Sequence, residues 1–183
     1  MHLEELTVTG AFLVRPERRG DDRGWFARVF CAEEFAEAGL EGHVSQVNLA
    51  ATAEAGTVRG LHFQLPPAQE AKLVRCVTGR IYDVVLDVRR GSPTFGRWAG
   101  RELSAEAGEA LYVPTGCAHG YQALTDDARV LYQVSHHYDP DRERGIHHAD
   151  GEVGIDWPLP PRNVSVKDAG LPRLAEAECP AVN

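Results

Sequence analysis

Short stretches in which apolar and polar residues alternate recur along the chain, and they predict β-strands. The clearest are residues 73–77 and 81–88, and the Thr78-Gly79 pair between them predicts a β-hairpin. Because side chains on a strand alternate between its two faces, the even-numbered residues from 82 to 88 are expected to share one apolar face. That face predicts a strand that packs against a core.

The rest of the chain shows the same strand signal and one convincing helix. Further predicted strands are residues 44–50, 110–113, 120–124 and 129–135. Residues 32–38 are rich in Ala and Glu and are followed by Gly39, which predicts a short helix that ends there. After Tyr138 the chain is rich in Pro, Gly and Asp, and residues 157–161 are expected to lie extended over the strands. Many short strands with few helices predict an all-β sandwich or barrel.

Composition narrows the class of protein. The 183 residues are 43% apolar and 25% charged, which predicts one ordinary globular domain over residues 1–183. A net charge of −8 argues against general nucleic-acid binding, since phosphate neutralisation needs a basic face. The acidic N-terminus and the lack of a long apolar run argue against a signal peptide and a membrane span, so a cytoplasmic location is expected. Four widely spaced cysteines predict reduced thiols.

Two histidines beside glycines are the first candidates for chemistry. His62 lies in the sequence Arg-Gly-Leu-His-Phe-Gln at 59–64, and His119 follows Pro-Thr-Gly-Cys-Ala. Each one alone is equally well explained as a core residue with a backbone partner. Tyr132 alone is likewise explained as core, and Asp168 as part of a polar turn. These residues therefore point to a site only when they are taken together.

A metal site is the main alternative for such a set. Double-stranded β-helices often hold a metal through a His-x-His strand, a carboxylate and a distant histidine. Here Gln64 stands where the second imidazole of the strand is needed. The pairs His136-His137 and His147-His148 do not repair the pattern, because neighbours on a strand point to opposite faces. The sequence therefore predicts no metal and no cofactor.

Ordered motifs along nearly the whole chain carry a resemblance to a known family. They are Asp-Arg-Gly-Trp-Phe at 22–26, Gln-Val-Asn at 46–48, Arg-Gly-Leu-His-Phe-Gln at 59–64, Lys-Leu-Val-Arg at 72–75, Gly-Ser-Pro-Thr-Phe-Gly at 91–96, His-Gly at 119–120, Tyr132, Glu-Arg-Gly-Ile at 143–146, Gly-Ile-Asp-Trp-Pro at 154–158 and Lys-Asp at 167–168. With this set the sequence resembles the dTDP-4-dehydrorhamnose 3,5-epimerases of deoxysugar biosynthesis. The resemblance implies a cupin fold, a double-stranded β-helix jelly roll with a few short helices.

The resemblance also implies roles for single residues. It makes His62 the base, Asp168 the carboxylate that orients it, Tyr132 the proton donor on the opposite face of the sugar, and Lys72 a group beside the ketone. The positions assigned to substrate binding are Arg23, Phe26, Arg28, Gln46, Asn48, Arg59, His119, Tyr138, Glu143 and Lys167. Among these, Tyr138 matches the ring that stacks on thymine. Family members commonly form homodimers that lend strand residues to the neighbouring site, and the aromatic residues Trp25 and Phe26 are expected to act in this way.

These residue types suit proton transfer beside a ketone. A proton on the neighbouring carbon becomes removable only if the enolate oxygen is stabilised, which is a suitable task for the Lys72 ammonium. An imidazole can accept a proton near neutral pH, and a carboxylate on its other nitrogen fixes its tautomer. Inversion needs a base and an acid on opposite faces of the ring, which His62 and Tyr132 would supply. Arg23 and Arg59 can bind diphosphate oxygens in bidentate fashion despite the acidic total.

The resemblance leaves some alternatives open. Arg28 stands where the family commonly has glutamate, and His147-His148 replaces the usual Arg-Trp, so the nucleotide is less firmly predicted than the reaction. The leading prediction is epimerisation at C3 and C5 of dTDP-4-keto-6-deoxyglucose, with a dTDP-4-keto-6-deoxyhexose as partner and a homodimer as assembly. One alternative is an epimerase that acts at a single carbon in an antibiotic-sugar pathway. A second alternative is a cupin that binds a nucleotide sugar without catalysis.

Overall fold

The regular secondary structure of the chain is almost entirely β-strand, as seen in a computed structural model that describes residues 1–182. The strands are β1 His2–Glu5, β2 Phe12–Arg15, β3 Arg18–Asp21, β4 Gly24–Ala27, β5 Gln46–Thr52, β6 Val58–Gln64, β7 Lys72–Thr78, β8 Arg80–Asp87, β9 Trp98–Ser104, β10 Ala110–Val113, β11 Cys117–Ala123, β12 Ala128–Val134 and β13 Glu143–Gly145. The helices are α1 Ala32–Glu37 and α2 Val166–Ala169. Among residues 1–182 no helix is long and apolar enough to cross a bilayer.

Two antiparallel sheets form the body of the fold. The first has six strands in the order β1-β2-β10-β7-β12-β5, and the second has five in the order β13-β6-β11-β8-β9. Strands β3 and β4 form a separate antiparallel hairpin. Neighbours within each sheet are mostly distant in sequence, which is the connectivity of a jelly roll. The predicted all-β jelly roll with few helices is therefore confirmed.

The main core lies between the two sheets. Val74 and Leu111 of the first sheet pack there with Ile81 and Leu103 of the second, and all four are almost fully buried. Burying a side chain of this size contributes roughly 1.5–3 kcal/mol, so this layer supplies much of the drive to bring the sheets together. The sheets therefore face each other across a continuous apolar interior. Polar residues on those inner faces do not belong to this core and are candidates for a functional site.

The chain after β13 covers the outer face of the second sheet. Trp157 packs against Tyr82 with ring centroids 6.4 Å apart, and its Nε1 donates to the carbonyl of His148 at 2.9 Å. The backbone N–H of Leu159 donates to Oε1 of the buried Gln122 at 2.9 Å. The extended segment predicted for residues 157–161 thus lies over the sheet as expected.

Most predicted elements are present. Helix α1 ends before Gly39, and its Phe35 is buried against Tyr112 of β10 with ring centroids 5.8 Å apart. The predicted strands correspond to β5, β7, β8, β10, β11 and β12. Strands β1, β2, β3, β4, β6, β9 and β13 were not predicted; β1–β4 and β13 are short, and in β3 all four residues are exposed, so there is no buried face to produce an alternating pattern.

The hairpin predicted at Thr78-Gly79 is wrong. Strand β7 pairs with β10 and β12 in the first sheet, whereas β8 pairs with β9 and β11 in the second. The short connection instead carries the chain from one sheet to the other. The reason is that both strands contribute to the core between the sheets, Cys76 from β7 and Ile81 from β8, so they face each other rather than lie side by side.

A close approach of β6 and β11 brings two histidines together. His62 and His119 are direct partners across these strands, and the register shifts immediately after His119. Gly60 makes this approach possible: a Cβ built there would lie 2.7 Å from the carbonyl oxygen of His119 and 2.8 Å from Cα of Gly120. Its φ of +101° is also a conformation that L side chains rarely adopt.

We expect Gly60→Ala to destabilise the protein by about 2–4 kcal/mol, because the methyl group meets backbone atoms that cannot move aside and also strains φ. Urea unfolding followed by circular dichroism measures the change. Gly151→Ala is the matched control, since nothing lies within 4 Å of its added Cβ, and it should shift stability by less than about 0.5 kcal/mol. Equal stability of the two variants would contradict this account.

Candidate active site

A cavity of about 440 Å³ lies between the sheets, on the side where the inner faces become polar. Seven of the candidate residues line it: Arg59, His62, Lys72, His119, Tyr132, Lys167 and Asp168. They come from β6, β7, β11, β12 and α2, which are spread over the chain. The fold thus brings the separate motifs to one concave surface, the usual form of a small-molecule site.

The candidate base and acid reach this cavity from opposite sheets. His62 lies on β6 of the second sheet, and Tyr132 lies on β12 of the first. Tyr132 pairs with Val74, and Val134 pairs with Lys72, so the tyrosine and the lysine share one face of the first sheet. The imidazole and the phenol therefore line one cavity from two sides.

His62 is held by a buried carboxylate. Its Nε2 lies 2.7 Å from Oδ1 of Asp168, whose side chain is 6% exposed. Oδ2 of Asp168 accepts from the backbone N–H of Gly60 at 3.2 Å, and Ser165 Oγ accepts from the backbone N–H of Asp168 at 3.0 Å. Nε2–H donates in this arrangement, which leaves Nδ1 as the nitrogen that can accept a proton.

The neighbours of Asp168 stabilise the ionised form of its carboxyl group. Burial raises the pKa of this carboxyl, but the hydrogen bond and charge of His62 and the bond from the Gly60 N–H outweigh it, so the pKa lies below its ordinary value. The carboxylate therefore remains ionised at neutral pH. An ionised partner fixes the imidazole orientation and favours the imidazolium that forms when His62 takes a proton.

A second histidine–aspartate pair lies beside the first. His119 Nε2 lies 2.8 Å from Oδ1 of Asp83, which is fully buried on β8. Burial raises the pKa of Asp83, although the charge and hydrogen bond of His119 and the charge of Lys72 oppose this. Asp83 was not among the predicted site residues. The signal that could have revealed it is a carboxylate within the apolar run of β8, on the face that lies opposite Tyr82.

Tyr132 is suited to remain protonated. Burial raises the pKa of its phenol, the charge of Glu70 raises it further, and Arg59 opposes this. A second phenol, Tyr121, lines the same cavity, but its oxygen is within 2.9 Å of Thr52 Oγ1 and it lies on β11, in the same sheet as His62. Tyr132 is therefore the phenol that faces the imidazole.

A second cavity of about 340 Å³ adjoins the first, and His62, Lys72 and Tyr132 line both. Gln46, Asn48, Tyr138 and Glu143 also line the second cavity. The Tyr138 hydroxyl donates to Glu143 Oε2 at 2.9 Å, and Glu143 also accepts from the Lys167 ammonium. The ring of Tyr138 is 55% exposed, so one aromatic face is available to a ligand.

Cations and polar groups occupy the outer wall of the first cavity. Arg59 Nε donates to Thr52 Oγ1 at 3.1 Å, and its Nη2 donates to the carbonyl of Ala51 at 3.0 Å. Asn163 and Ser165 complete this wall together with Lys167. A guanidinium and an ammonium that line the same pocket suit a phosphate-bearing ligand.

The sequence and structure can now be compared with known proteins. The family model of dTDP-4-dehydrorhamnose 3,5-epimerase matches residues 5–176. The chain belongs to this epimerase family. The resemblance seen in the motifs and the assignment to the isomerases are therefore confirmed.

Individual relatives agree over almost the full chain. A dTDP-4-dehydrorhamnose 3,5-epimerase of Sinorhizobium fredii is 42% identical over 96% of this chain and 91% of its own. A dTDP-4-dehydrorhamnose 3-epimerase of Streptomyces niveus is 41% identical over 97% of this chain and 86% of its own. The crystal structure of a 3,5-epimerase of Legionella pneumophila with dTDP-4-keto-L-rhamnose superposes with a TM-score of 0.92 at 33% identity, covering 100% of this chain and 98% of that one. The predicted cupin fold is thus confirmed.

Three candidate residues of the epimerase lie apart from both cavities within one chain. Arg23 and Phe26 lie on the β3–β4 hairpin, where the Arg23 side chain is 90% exposed and Phe26 is 71% exposed. Arg28 follows β4 and its Nη1 lies 3.2 Å from Oε1 of Glu34 on α1. The structure therefore does not bring these residues to His62 within a single subunit.

The histidine pairs are arranged differently from the expectation. Both lie outside strands, and their rings pack together, with centroids 4.2 Å apart for His136 and His137 and 4.6 Å apart for His147 and His148. The argument that neighbours on a strand point apart was therefore wrong for them. Among residues 1–182 no three His, Cys, Asp or Glu side chains are grouped as metal ligands would be.

Gln64, which stands where a metal-binding cupin would have a second histidine, has a structural role in this epimerase. Its Nε2 donates to the carbonyls of Ala68 at 2.7 Å and His137 at 3.2 Å, and its Oε1 accepts from the backbone N–H of Asp139 at 2.6 Å. These bonds fix the chain on either side of the second cavity.

Proposed function

We propose that the protein epimerises C3 and C5 of dTDP-4-keto-6-deoxyglucose by proton transfer on the carbons beside the C4 ketone. The observation that carries this proposal is the approach of His62 and Tyr132 to one cavity from opposite sheets. Inversion of a stereocentre requires removal of a proton from one face of the sugar and delivery of a proton to the other. A cavity with a base on one side and a phenol on the other meets that requirement.

Each residue then has a defined step. Nδ1 of His62 removes the proton from the carbon beside the ketone, and Asp168 stabilises the imidazolium that results. The electron pair moves onto the ketone oxygen, where the Lys72 ammonium stabilises the enolate. The Tyr132 phenol delivers its proton to the opposite face of the same carbon. Exchange with solvent returns a proton to the tyrosine and removes one from the histidine, so the protons balance over a turnover.

The nucleotide is assigned to the residues around both cavities. Arg59 and Lys167 are placed to bind the diphosphate, and the exposed ring of Tyr138 to stack on the base. Gln46 and Asn48 offer hydrogen-bonding groups in the second cavity. Relatives named as enzymes of dTDP sugars, and the dTDP sugar in the Legionella structure, support thymidine as this nucleotide.

Incubation of the enzyme and substrate in D₂O tests the proposal. NMR of the sugar should show deuterium at both C3 and C5 and inversion at both carbons. Label at one carbon only would instead establish a single-carbon epimerase, the activity that the name of the Streptomyces niveus relative describes. No label at either carbon would overturn the proposal and leave a binding protein without catalysis.

We also propose that two copies form a homodimer in which Arg23, Phe26 and Arg28 enter the partner's site. The exposed hairpin supports this, since Trp25 is 52% exposed and Phe26 is 71% exposed. Strand β5 is an unpaired edge of the first sheet, and Val47 and Leu49 expose apolar surface on it. Apolar surface at a sheet edge is commonly covered by another chain.

We expect light scattering to give the mass of two chains, and complementation to show shared sites. Coexpressed Arg23→Ala and His62→Ala chains should recover about a quarter of wild-type activity. The reason is that half of random dimers are mixed, and each mixed dimer has one intact site. Each variant alone should be weak or inactive. A monomer, or no recovery in the mixture, would contradict the shared site.

A further inference from the structure

A carboxylate that the reaction scheme does not use lies next to the candidate ketone-binding lysine. Glu70 precedes β7, and its Oε1 lies 3.1 Å from Nζ of Lys72, the first residue of that strand. The side chains are 11% and 10% exposed, so both charges lie largely out of solvent. Both residues line the second cavity, and Lys72 also lines the first. The pair is therefore a shielded ion pair within the site, unlike the exposed pairs elsewhere on the surface.

A second carboxylate, that of Asp83, acts on the Lys72 ammonium from the other sheet. Asp83 is fully buried on β8, and its charge and that of Lys72 act on each other. Only Oδ1 of Asp83 is bonded, to His119, while Oδ2 has no hydrogen-bond partner among residues 1–182. A buried carboxylate oxygen without a partner attracts a nearby flexible ammonium. The carboxylate that holds the Lys72 ammonium by an ion pair is instead Glu70, at 3.1 Å.

We propose that Glu70 is a positioning residue that anchors the Lys72 ammonium at the reacting ketone and places a negative charge beside the Tyr132 phenol. This inference rests on the proposed function, because it assigns Lys72 to the enolate. A lysine has four rotatable side-chain bonds, so an ion pair at its tip restricts it far more than packing along its stem does. Anchoring before the substrate arrives is what makes an oxyanion-stabilising group effective.

Glu70 also links the cation to the acid. Its charge is one of the causes that raise the pKa of Tyr132, after burial. The other titratable or charged groups that line the two cavities beside Tyr132 are Arg59 and His62 on β6, Lys72 on β7, His119 and Tyr121 on β11, Tyr138 after β12, Glu143 on β13, and Lys167 and Asp168 on α2. Of these, Arg59 lowers the Tyr132 pKa. The charge of Glu70 thus adds to burial in raising the pKa of Tyr132.

Glu70→Gln removes the charge and keeps the shape, and kcat should fall about tenfold, which corresponds to about 1.4 kcal/mol of transition-state stabilisation. Loss of the anchor lets Lys72 turn towards Asp83, while the change in KM should be smaller. The alkaline limb of the kcat–pH profile should move to lower pH, because without the neighbouring negative charge the phenol loses its proton more easily. A purely structural role for Glu70 would lower kcat without moving that limb.

Two further variants complete the test. Glu70→Asp restores the charge and should return the alkaline limb to its wild-type position even if kcat recovers only in part. Glu109→Gln is the matched control, because Glu109 pairs with Arg15 at 2.8 Å away from both cavities, and its kcat and pH profile should stay unchanged. The inference would be overturned if Glu70→Gln kept the wild-type kcat and the wild-type alkaline limb. It would also be overturned if Glu70→Asp had the same kcat and the same alkaline limb as Glu70→Gln.

The outcome can be separated from failure of the proposed function. If the wild-type protein causes no exchange in D₂O, the reaction is wrong, and the inference about catalysis is overturned with it. The charge interaction is then still measurable from the ultraviolet absorbance of tyrosinate, with Tyr132→Phe subtracted to isolate this phenol. Glu70→Gln should titrate Tyr132 at lower pH than wild type, and an identical titration would show that the charge does not act on the phenol.

Discussion

Replacing His62 with alanine is expected to reduce deuterium uptake at C3 and C5 by a factor of about 10³ or more, the upper part of the range for loss of a general base. The physical reason is that no other group on the same side of the cavity is equipped to accept the proton. His119 lies beside it in a similar pair with Asp83, but its side chain is only 11% exposed, against 27% for His62, so its ring is less accessible to a substrate. Affinity for dTDP should change little, since the assigned nucleotide contacts are made by Arg59, Lys167 and Tyr138. Isothermal calorimetry with dTDP and NMR of the sugar in D₂O measure the two quantities separately.

The control for this variant is His2→Ala, which removes an exposed imidazole on β1 that lines neither cavity and should leave exchange unchanged. Asp168→Asn is informative beside it. An amide in place of the carboxylate can present its N–H towards His62 and favour the wrong tautomer, so exchange should fall even though the imidazole remains. Exchange at the wild-type rate in the His62 variant would show that another group removes the proton.

Much of the site could be predicted from residue types, because proton transfer needs an imidazole, a phenol, a cation and a carboxylate. Of the fourteen residues proposed for the site, all except Arg23, Phe26 and Arg28 line one of the two cavities or both. Arg23 and Phe26 lie on an exposed hairpin and Arg28 directly follows it, and no pattern in a single chain shows whether a hairpin serves its own subunit or another. Their role depends on assembly, which only the dimer proposal addresses.

What could not be predicted depends on pairing between distant strands. Glu70 escaped prediction although it pairs with Lys72 only two residues on, because the sequence does not show that this ion pair lies within a cavity. Asp83 escaped prediction because its partner, His119, lies on a distant strand. The error at Thr78-Gly79 has the same origin. A short turn between two apolar strands is compatible both with a hairpin and with a crossing between facing sheets, and only the packing of Cys76 and Ile81 in the shared core decides between them.

The same crossing explains why the site has two different walls. Since β7 and β8 lie in facing sheets, Lys72 reaches the cavity from the first sheet and Asp83 is buried in the second. Lys72 is therefore influenced by two carboxylates. Glu70 lies on its own side of the cavity, and Asp83 lies on the facing sheet. Had β7 and β8 formed a hairpin, Lys72 and Asp83 would belong to one sheet and not to two facing sheets.

Replacing Tyr132 with phenylalanine is expected to separate proton removal from inversion. His62 and Lys72 remain, so the carbon beside the ketone should still lose its proton and take up deuterium from D₂O. Delivery to the opposite face should fall by a factor of about 10²–10⁴, the contribution of a general acid. Proton return by the imidazole to the original face would then give starting sugar that carries deuterium with its configuration unchanged. NMR of the recovered substrate detects this product directly.

The alternative acid in the cavity is Tyr121, and its position makes the result of the Tyr132 variant decisive. Tyr121 lies on the same sheet as His62 and is hydrogen-bonded to Thr52, so a proton from it would arrive on the side from which the base removed one. If Tyr132→Phe still formed inverted product at the wild-type rate, the opposed arrangement of base and acid would be irrelevant to the chemistry. Tyr82→Phe, which removes a hydroxyl from the outer core against Trp157, should not affect either step. Labelled, uninverted sugar that forms only in the Tyr132 variant would assign the two faces of the reaction to the two sheets of the fold.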